Sequence, residues 1–202
     1  EVATARLGGG LNHDRLTCAD ARGEGDFMKI NAGKYVIRSF EDQDAAAMAE
    51  HVSNPNVTRM LAARFPSPYT ERHAKAWIDL CHLEAEPVNF AIVYKNQLVG
   101  GIGLTVQRGA RRRAAEVGFW VAEDYWGKGI ATEALRAFTG YAFSRFDLIR
   151  LFAYVFEGNF GSTRVLEKVG FTYEGTLESS IVKNDQVYGE MVYALVRPQI
   201  VP

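Results

Sequence analysis

Apolar and polar positions change rhythm several times along the chain, and each change marks an element. Tyr35-Val36-Ile37-Arg38 is β-rich, and Asp42 then opens an alanine-rich stretch through Ala49 and Val52 that closes at Asn54-Pro55, so a strand and then a helix are predicted. A second helix starts at Thr70, a good N-cap with Glu71 behind it, and sets Ala74, Trp77, Ile78 and Cys81 on one face before Pro87. Asn89–Tyr94 and Leu98–Leu104, parted by Lys95-Asn96-Gln97, read as an antiparallel hairpin. Strands follow from Ala114 to Val121 and from Arg150 to Phe156. Between them Ala131, Ala134, Leu135, Phe138 and Ala142 recur at helical spacing. A last helix is predicted from Phe160 to Val169, and a closing pair of strands parts at Lys183-Asn184-Asp185. The order β, α, α, β, β, β, α, β, α, β, β describes an α/β (α+β) fold, a mixed sheet of about seven strands with helices on its faces.

Residues 1–27 carry Gly8-Gly9-Gly10 and no apolar periodicity, so they read as a disordered extension. Residues 28–202 remain as a single domain, with Met28 a candidate start.

The most informative connection is the unit centred on Gly127. The strand Glu116-Val117-Gly118-Phe119-Trp120-Val121 leads into Trp126-Gly127-Lys128-Gly129-Ile130-Ala131-Thr132 and directly into the amphipathic helix. A glycine loop at a helix N-terminus leaves backbone N–H groups aimed outward, and the helix dipole adds positive potential, so the unit suits an anion such as a pyrophosphate. A plain tight turn is the competing reading. Two other phosphate loops do not fit: Ala122 stands where a P-loop needs its first glycine, and the segment is neither GxGxxG nor placed after the first strand.

Composition narrows the classes further. Of 202 residues, 48% are hydrophobic and 23% charged, enough apolar material for a core. The net charge of −1 provides no global field to draw nucleic acid or anionic lipid. The one conspicuous basic run, Arg108 to Arg113, reads as a solvated loop or a docking patch for an acidic acceptor. Cys18 and Cys81 form no CxxC and have no nearby histidine pair, which argues against a disulfide framework and a zinc site and for a reducing cytoplasm. No membrane partner is expected, since no apolar run approaches the length of a span.

Trp126-Gly127-Lys128-Gly129-Ile130-Ala131-Thr132-Glu133-Ala134 resembles the acyl-CoA pyrophosphate motif of the GNAT acetyltransferase superfamily: Gln or Arg, two residues, Gly, one residue, then Gly or Ala. Gly129 and Ala131 fit, and Trp126 departs from the pattern as it does in the RimJ/RimL branch of ribosomal-protein N-terminal acetyltransferases and their small-amine relatives. Asn159-Phe160-Gly161-Ser162 with Leu166-Glu167-Lys168-Val169-Gly170-Phe171 is similar to that branch's second signature, and Val182–Asn184 through Tyr193–Leu195 to its final hairpin. The resemblance spans roughly 33–198. It implies a GNAT fold, mostly antiparallel and twisted, splayed between its fourth and fifth strands, with acetyl-CoA as cosubstrate and no metal. The pantetheine arm would lie in the gap beside backbone groups of Phe119 and Val121, with its pyrophosphate on Trp126, Gly127, Lys128, Gly129, Ile130, Ala131 and Thr132.

Acyl transfer to an amine needs a neutral nucleophile, a held oxyanion and a proton for the departing thiolate. Glu116, on the strand beside the acyl group, is the candidate base; a salt-bridged strand residue is the alternative. Many superfamily members place a Tyr on the helix after the fifth strand, but Leu166 stands at that position here. Ser162 is the candidate to hydrogen-bond the coenzyme sulfur, and Asn159 to contact the pantetheine amides; for both, helix capping competes. His51, His73 and His82 read as surface or packing residues, and Phe65, Tyr69 and Trp77 as acceptor-pocket or core residues. The acceptor is expected to be a protein N-terminus or a small amine, and the enzyme a monomer or homodimer. An acyl-CoA-binding regulatory domain without turnover is the alternative function.

Overall fold

Strands β1 (Lys29–Ala32), β2 (Tyr35–Arg38), β3 (Asn89–Tyr94), β4 (Gln97–Val106), β5 (Ala114–Val121), β6 (Arg150–Phe156), β7 (Thr172–Lys183) and β8 (Gln186–Val196) form one sheet, ordered β1-β2-β3-β4-β5-β6-β8-β7. The computed structural model describes residues 28–61 and 65–197. The extension read over 1–27 and Cys18 lie outside those residues.

Among the described residues eight strands stand where about seven were expected. The addition is β1, too short for a period of two to show and largely exposed at the sheet edge, with only Ala32 buried. It pairs antiparallel with β2 through a turn that Gly33 permits at φ 63°. Counting it, the one parallel pair is β5 with β6 rather than the fourth strand with the fifth; the other neighbours are antiparallel.

Helices α1 (Asp44–Ser53), α2 (Pro55–Thr58), α3 (Glu71–His82), α4 (Ile130–Arg145) and α5 (Phe160–Val169) cover both faces. The one-turn α2 was not anticipated. Pro55 at its first position lacks an N–H to leave unpaired, and Asn54 Oδ1 accepts from the Asn56 amide. The second predicted helix ends at His82, five residues before Pro87. His73 completes its capping box with Thr70, His51 contacts the Leu98 carbonyl at 3.2 Å and His82 that of Phe40 at 2.9 Å, so all three histidines hold structure.

Alternation along β5 sorts the core. Ala115, Val117, Phe119 and Val121 join the cluster under α4 and α5, whereas Trp120 joins the cluster under α1 and α3. Glu116 shares the Trp120 face. Tyr69 is a member of that second cluster, and Phe65 and Trp77, partly buried, pack against it.

Arg38 and Asp44 join β2 to α1 in a buried two-pronged pair, at 2.7 and 2.9 Å. Removing the carboxylate leaves the buried guanidinium with Glu41 at 3.2 Å as its remaining acidic partner. Asp44→Ala is expected to cost about 3 kcal/mol of stability, checked by urea denaturation.

Candidate active site

The parallel pair at the centre of the sheet is brief. Ala114, Ala115 and Glu116 face Arg150, Leu151 and Phe152, and past Glu116 the strands share no further register. Antiparallel strands on either side keep their full ladders, so the sheet opens from Glu116 toward Val121 on one lip and Phe156 on the other.

Which backbone groups face the opening follows from the ladder. The Ala122 N–H bonds the Val99 carbonyl and the Gln107 N–H bonds the Ala114 carbonyl, so even-numbered residues of β5 pair with β4. Odd-numbered ones turn toward the gap, and these include Phe119 and Val121. The Phe119 side chain is fully buried in the core, leaving its backbone as the part that faces the split. The Val121 carbonyl already accepts the Trp126 indole N–H at 2.7 Å, which ties the loop back to the strand.

At the open end a 3₁₀ turn, Glu123–Tyr125, delivers the chain to the glycine loop. Gly127 and Gly129 have φ of 71° and 80°, a left-handed conformation that costs other L-residues about 1–2 kcal/mol each. Gly129 is the N-cap of α4 and has no side chain with which to cap it. The amides of Ile130, Ala131 and Thr132 thus begin the helix without a capping group, at the positive end of a 16-residue dipole. Tyr35 Oη donates to the Lys128 carbonyl at 3.2 Å and holds the loop from β2.

A cleft at this place is lined by Val121, Trp126, Gly127, Gly129, Ile130, Ala131 and Thr132, joined by Tyr125 and, from α5, by Gly161, Arg164, Val165 and Lys168. Seven of the residues singled out in the sequence are therefore gathered on one surface. Lys128 behaves differently: its ammonium donates to the Asp124 carbonyl at 2.6 Å and lies over the Tyr125 ring. Its side chain braces the loop, and its backbone is what the loop offers.

Asn159 and Ser162 sit at the start of α5, both buried. Asn159 Oδ1 accepts from the Ser162 amide at 3.2 Å, so the capping role is realised. Leu166, one turn on, is fully buried in the core.

The sequence reading missed Arg164 and Lys168. Their spacing of four, three residues after Gly161, puts all three on one helix face, but nothing local shows that this face meets the glycine loop. A diphosphate held by backbone amides gains from two cations across the groove. Lys168→Ala is expected to weaken coenzyme A binding about threefold to tenfold at low salt, with the difference shrinking at high ionic strength in calorimetric titrations.

These features, a helix N-terminus without a side-chain cap behind two left-handed glycines, Arg164 and Lys168 in the cleft lining, and a split sheet with backbone turned toward its gap, fit a coenzyme A thioester and the class of acyl-CoA-dependent N-acyltransferases. Residues 34–172 match the acetyltransferase (GNAT) domain, and the chain belongs to that family of N-acetyltransferases. It is 31% identical to the putative ribosomal N-acetyltransferase YdaF of Bacillus subtilis, over 80% of this chain and 90% of the relative. A GNAT-family acetyltransferase from Bacillus anthracis superposes with a TM-score of 0.73 at 29% identity, covering 84% of this chain and 98% of the other. RimL, the ribosomal L7/L12 α-N-protein acetyltransferase solved with coenzyme A, shares the fold at a TM-score of 0.74 and 20% identity, over 84% and 98% of the two chains.

Among the described residues no helix is long and apolar enough to cross a membrane, and no three His, Cys, Asp or Glu side chains are grouped to hold a metal. Burial pushes the Cys81 thiol well above its ordinary range, which disfavours the thiolate.

Proposed function

We propose that this acetyltransferase passes the acetyl group of acetyl-CoA to a primary amine, a protein N-terminal α-amine or a small-molecule amine, by direct attack within a ternary complex. The observation that carries this reading is where Glu116 stands. It occupies the last β5–β6 register pair, opposite Phe152, at the point where the strands part. Its side chain is buried at 8% exposure. A carboxylate at the apex of the split is placed to take a proton from an amine approaching on the α1 and α3 face, directly or through water.

Bound acetyl-CoA supplies an activated acyl carbon and a thiolate leaving group. The chain's own part is positional. Ile130, Ala131 and Thr132 amides hold the diphosphate, with Gly127 and Gly129 allowing close approach and the Lys128 backbone completing the loop. Phe119 and Val121 offer backbone groups to the pantetheine arm as an added strand, and Trp126 fixes the strand end. Asn159 and Ser162 face the arm from α5, with the Ser162 hydroxyl as the group nearest in kind to an acid for the thiolate. A free thiol has a pKa of about 8.5, so the coenzyme departs tolerably as thiolate even where Leu166 replaces a tyrosine.

An α-amine with a pKa near 8 is neutral for roughly a tenth of the time at pH 7, against under a thousandth for a lysine amine near 10.4, so the former asks less of Glu116. Similarity to YdaF, named as a putative ribosomal N-acetyltransferase, supports the same acceptor class.

The test is thiol release from acetyl-CoA against a panel of peptides with free N-termini and small primary amines. Release with at least one amine is expected. Coenzyme binding without release from any of them would favour a regulatory acyl-CoA-binding domain instead.

A further inference from the structure

The α2 corner is bonded to both halves of the split sheet. At its start, Asn54 Nδ2 and Asn56 Nδ2 donate to Glu123, at 2.6 and 2.8 Å. Glu123 lies two residues past Val121, on the turn that enters the glycine loop. At its end, the Lys183 ammonium donates to the carbonyls of Thr58 at 2.7 Å, Arg59 at 3.2 Å and Leu61 at 2.6 Å. Lys183 is the last residue of β7, across the opening, and its ammonium lies 5.6 Å from the ring centroid of Phe156, the far lip.

The two anchors thus hold the corner across the wide mouth of the split, from the Val121 lip to the Phe156 lip. Val57 and Leu61 bury their side chains in the cluster under α1 and α3, which fixes the face: it is the Glu116 face, opposite α4 and α5. The half-buried ammonium satisfies its donors on three carbonyls at a helix end and so joins elements 122 or more residues apart, and burial pulls its pKa below the ordinary lysine value. Packing of Val57 and Leu61 sets which face the corner lies on, and the polar anchors tie it to both lips.

We propose that Glu123 and Lys183 are positioning residues that suspend the α2 corner over the mouth of the split, making it the outer wall of the passage by which the amine reaches the thioester and linking that wall to the coenzyme loop. The proposal rests on the reading that the amine attacks from the Glu116 face. Two consequences follow. Ordering of the glycine loop by coenzyme steadies Glu123 and, through it, the corner, so the acceptor seat is completed after coenzyme binds. Loosening the Lys183 anchor widens the passage and weakens acceptor binding while leaving the phosphate cradle alone, whereas loosening Glu123 uncouples the corner from the coenzyme loop.

The experiment uses Glu123→Ala, Lys183→Met and Lys183→Arg in the full chain, with coenzyme A as probe. Hydrogen exchange over residues 54–61 is expected to slow in the wild type on adding coenzyme A and to stay fast in Glu123→Ala at the same coenzyme occupancy. Lys183→Met is expected to speed exchange there and in residues 180–187. It should also raise KM for the best amine of the panel about tenfold, with kcat and coenzyme affinity within about twofold, and Lys183→Arg should recover most of that loss. Exchange unmoved by coenzyme or by Lys183→Met overturns the span. A change in exchange with KM unmoved reduces the anchors to structure and overturns the positioning role. Absence of turnover with every amine sinks the acyl-transfer reading itself, a result separable from the exchange data.

Discussion

Glu116→Gln is expected to lower kcat by about 10² to 10⁴ while leaving coenzyme A affinity within about twofold. The substitution keeps shape and volume at a site of 8% exposure, so packing against the neighbouring strands survives. What is lost is an acceptor for the amine proton at the apex of the split. The defect should depend on pH in a definite direction. Below pH 8 an α-amine is mostly protonated and needs a base, so the loss is greatest there; above it solvent already supplies neutral amine and the gap narrows. A pH–rate series on wild type and variant with one peptide acceptor checks this. Equal activity across the range would remove Glu116 as the base.

The second large effect concerns the cradle. Gly129 holds φ 80° at the N-cap of α4, and a Cβ built there meets nothing within 4 Å. The Cβ of a Gly129→Val substitution therefore has open space, and the penalty comes from the backbone conformation. A β-branched residue is an outlier in the left-handed region, and relief of that strain rotates the Ile130–Thr132 amides away from a common focus. Coenzyme affinity is expected to fall about 10- to 100-fold, while unfolding stability drops by only about 1–2 kcal/mol, because no core contact is touched. Calorimetry and urea denaturation on the same preparation separate the two. An equal loss in both would mean that the loop is structural.

Strong local signals carried much of this account. The limits of β3, β5, β6 and α5 could be read from period, turn residues and caps because each of these elements agrees with its own local chemistry. The glycine loop was legible for the same reason, since left-handed glycines before an amphipathic helix are a local arrangement. β1 was not legible: four mostly exposed residues at an edge carry no pattern that distinguishes them from a leader. Non-local facts were hidden in a deeper sense. That Glu116 sits at the parting of two strands depends on the register with Phe152, 36 positions away in sequence. That Arg164 and Lys168 line one cleft with Gly127 depends on how α5 docks beside α4. The three bonds of Lys183 to the α2 corner reach across 122 to 125 positions, and no composition or spacing foretells them.

The most direct measurement follows individual backbone amides by NMR as coenzyme A is titrated into the labelled protein. Shifts concentrated at Gly127 and Gly129–Thr132, with smaller ones at Phe119 and Val121, are the predicted result. Binding that leaves those amides unmoved, or no binding at all, would contradict a diphosphate cradle at the head of α4 and an arm laid in the opened sheet.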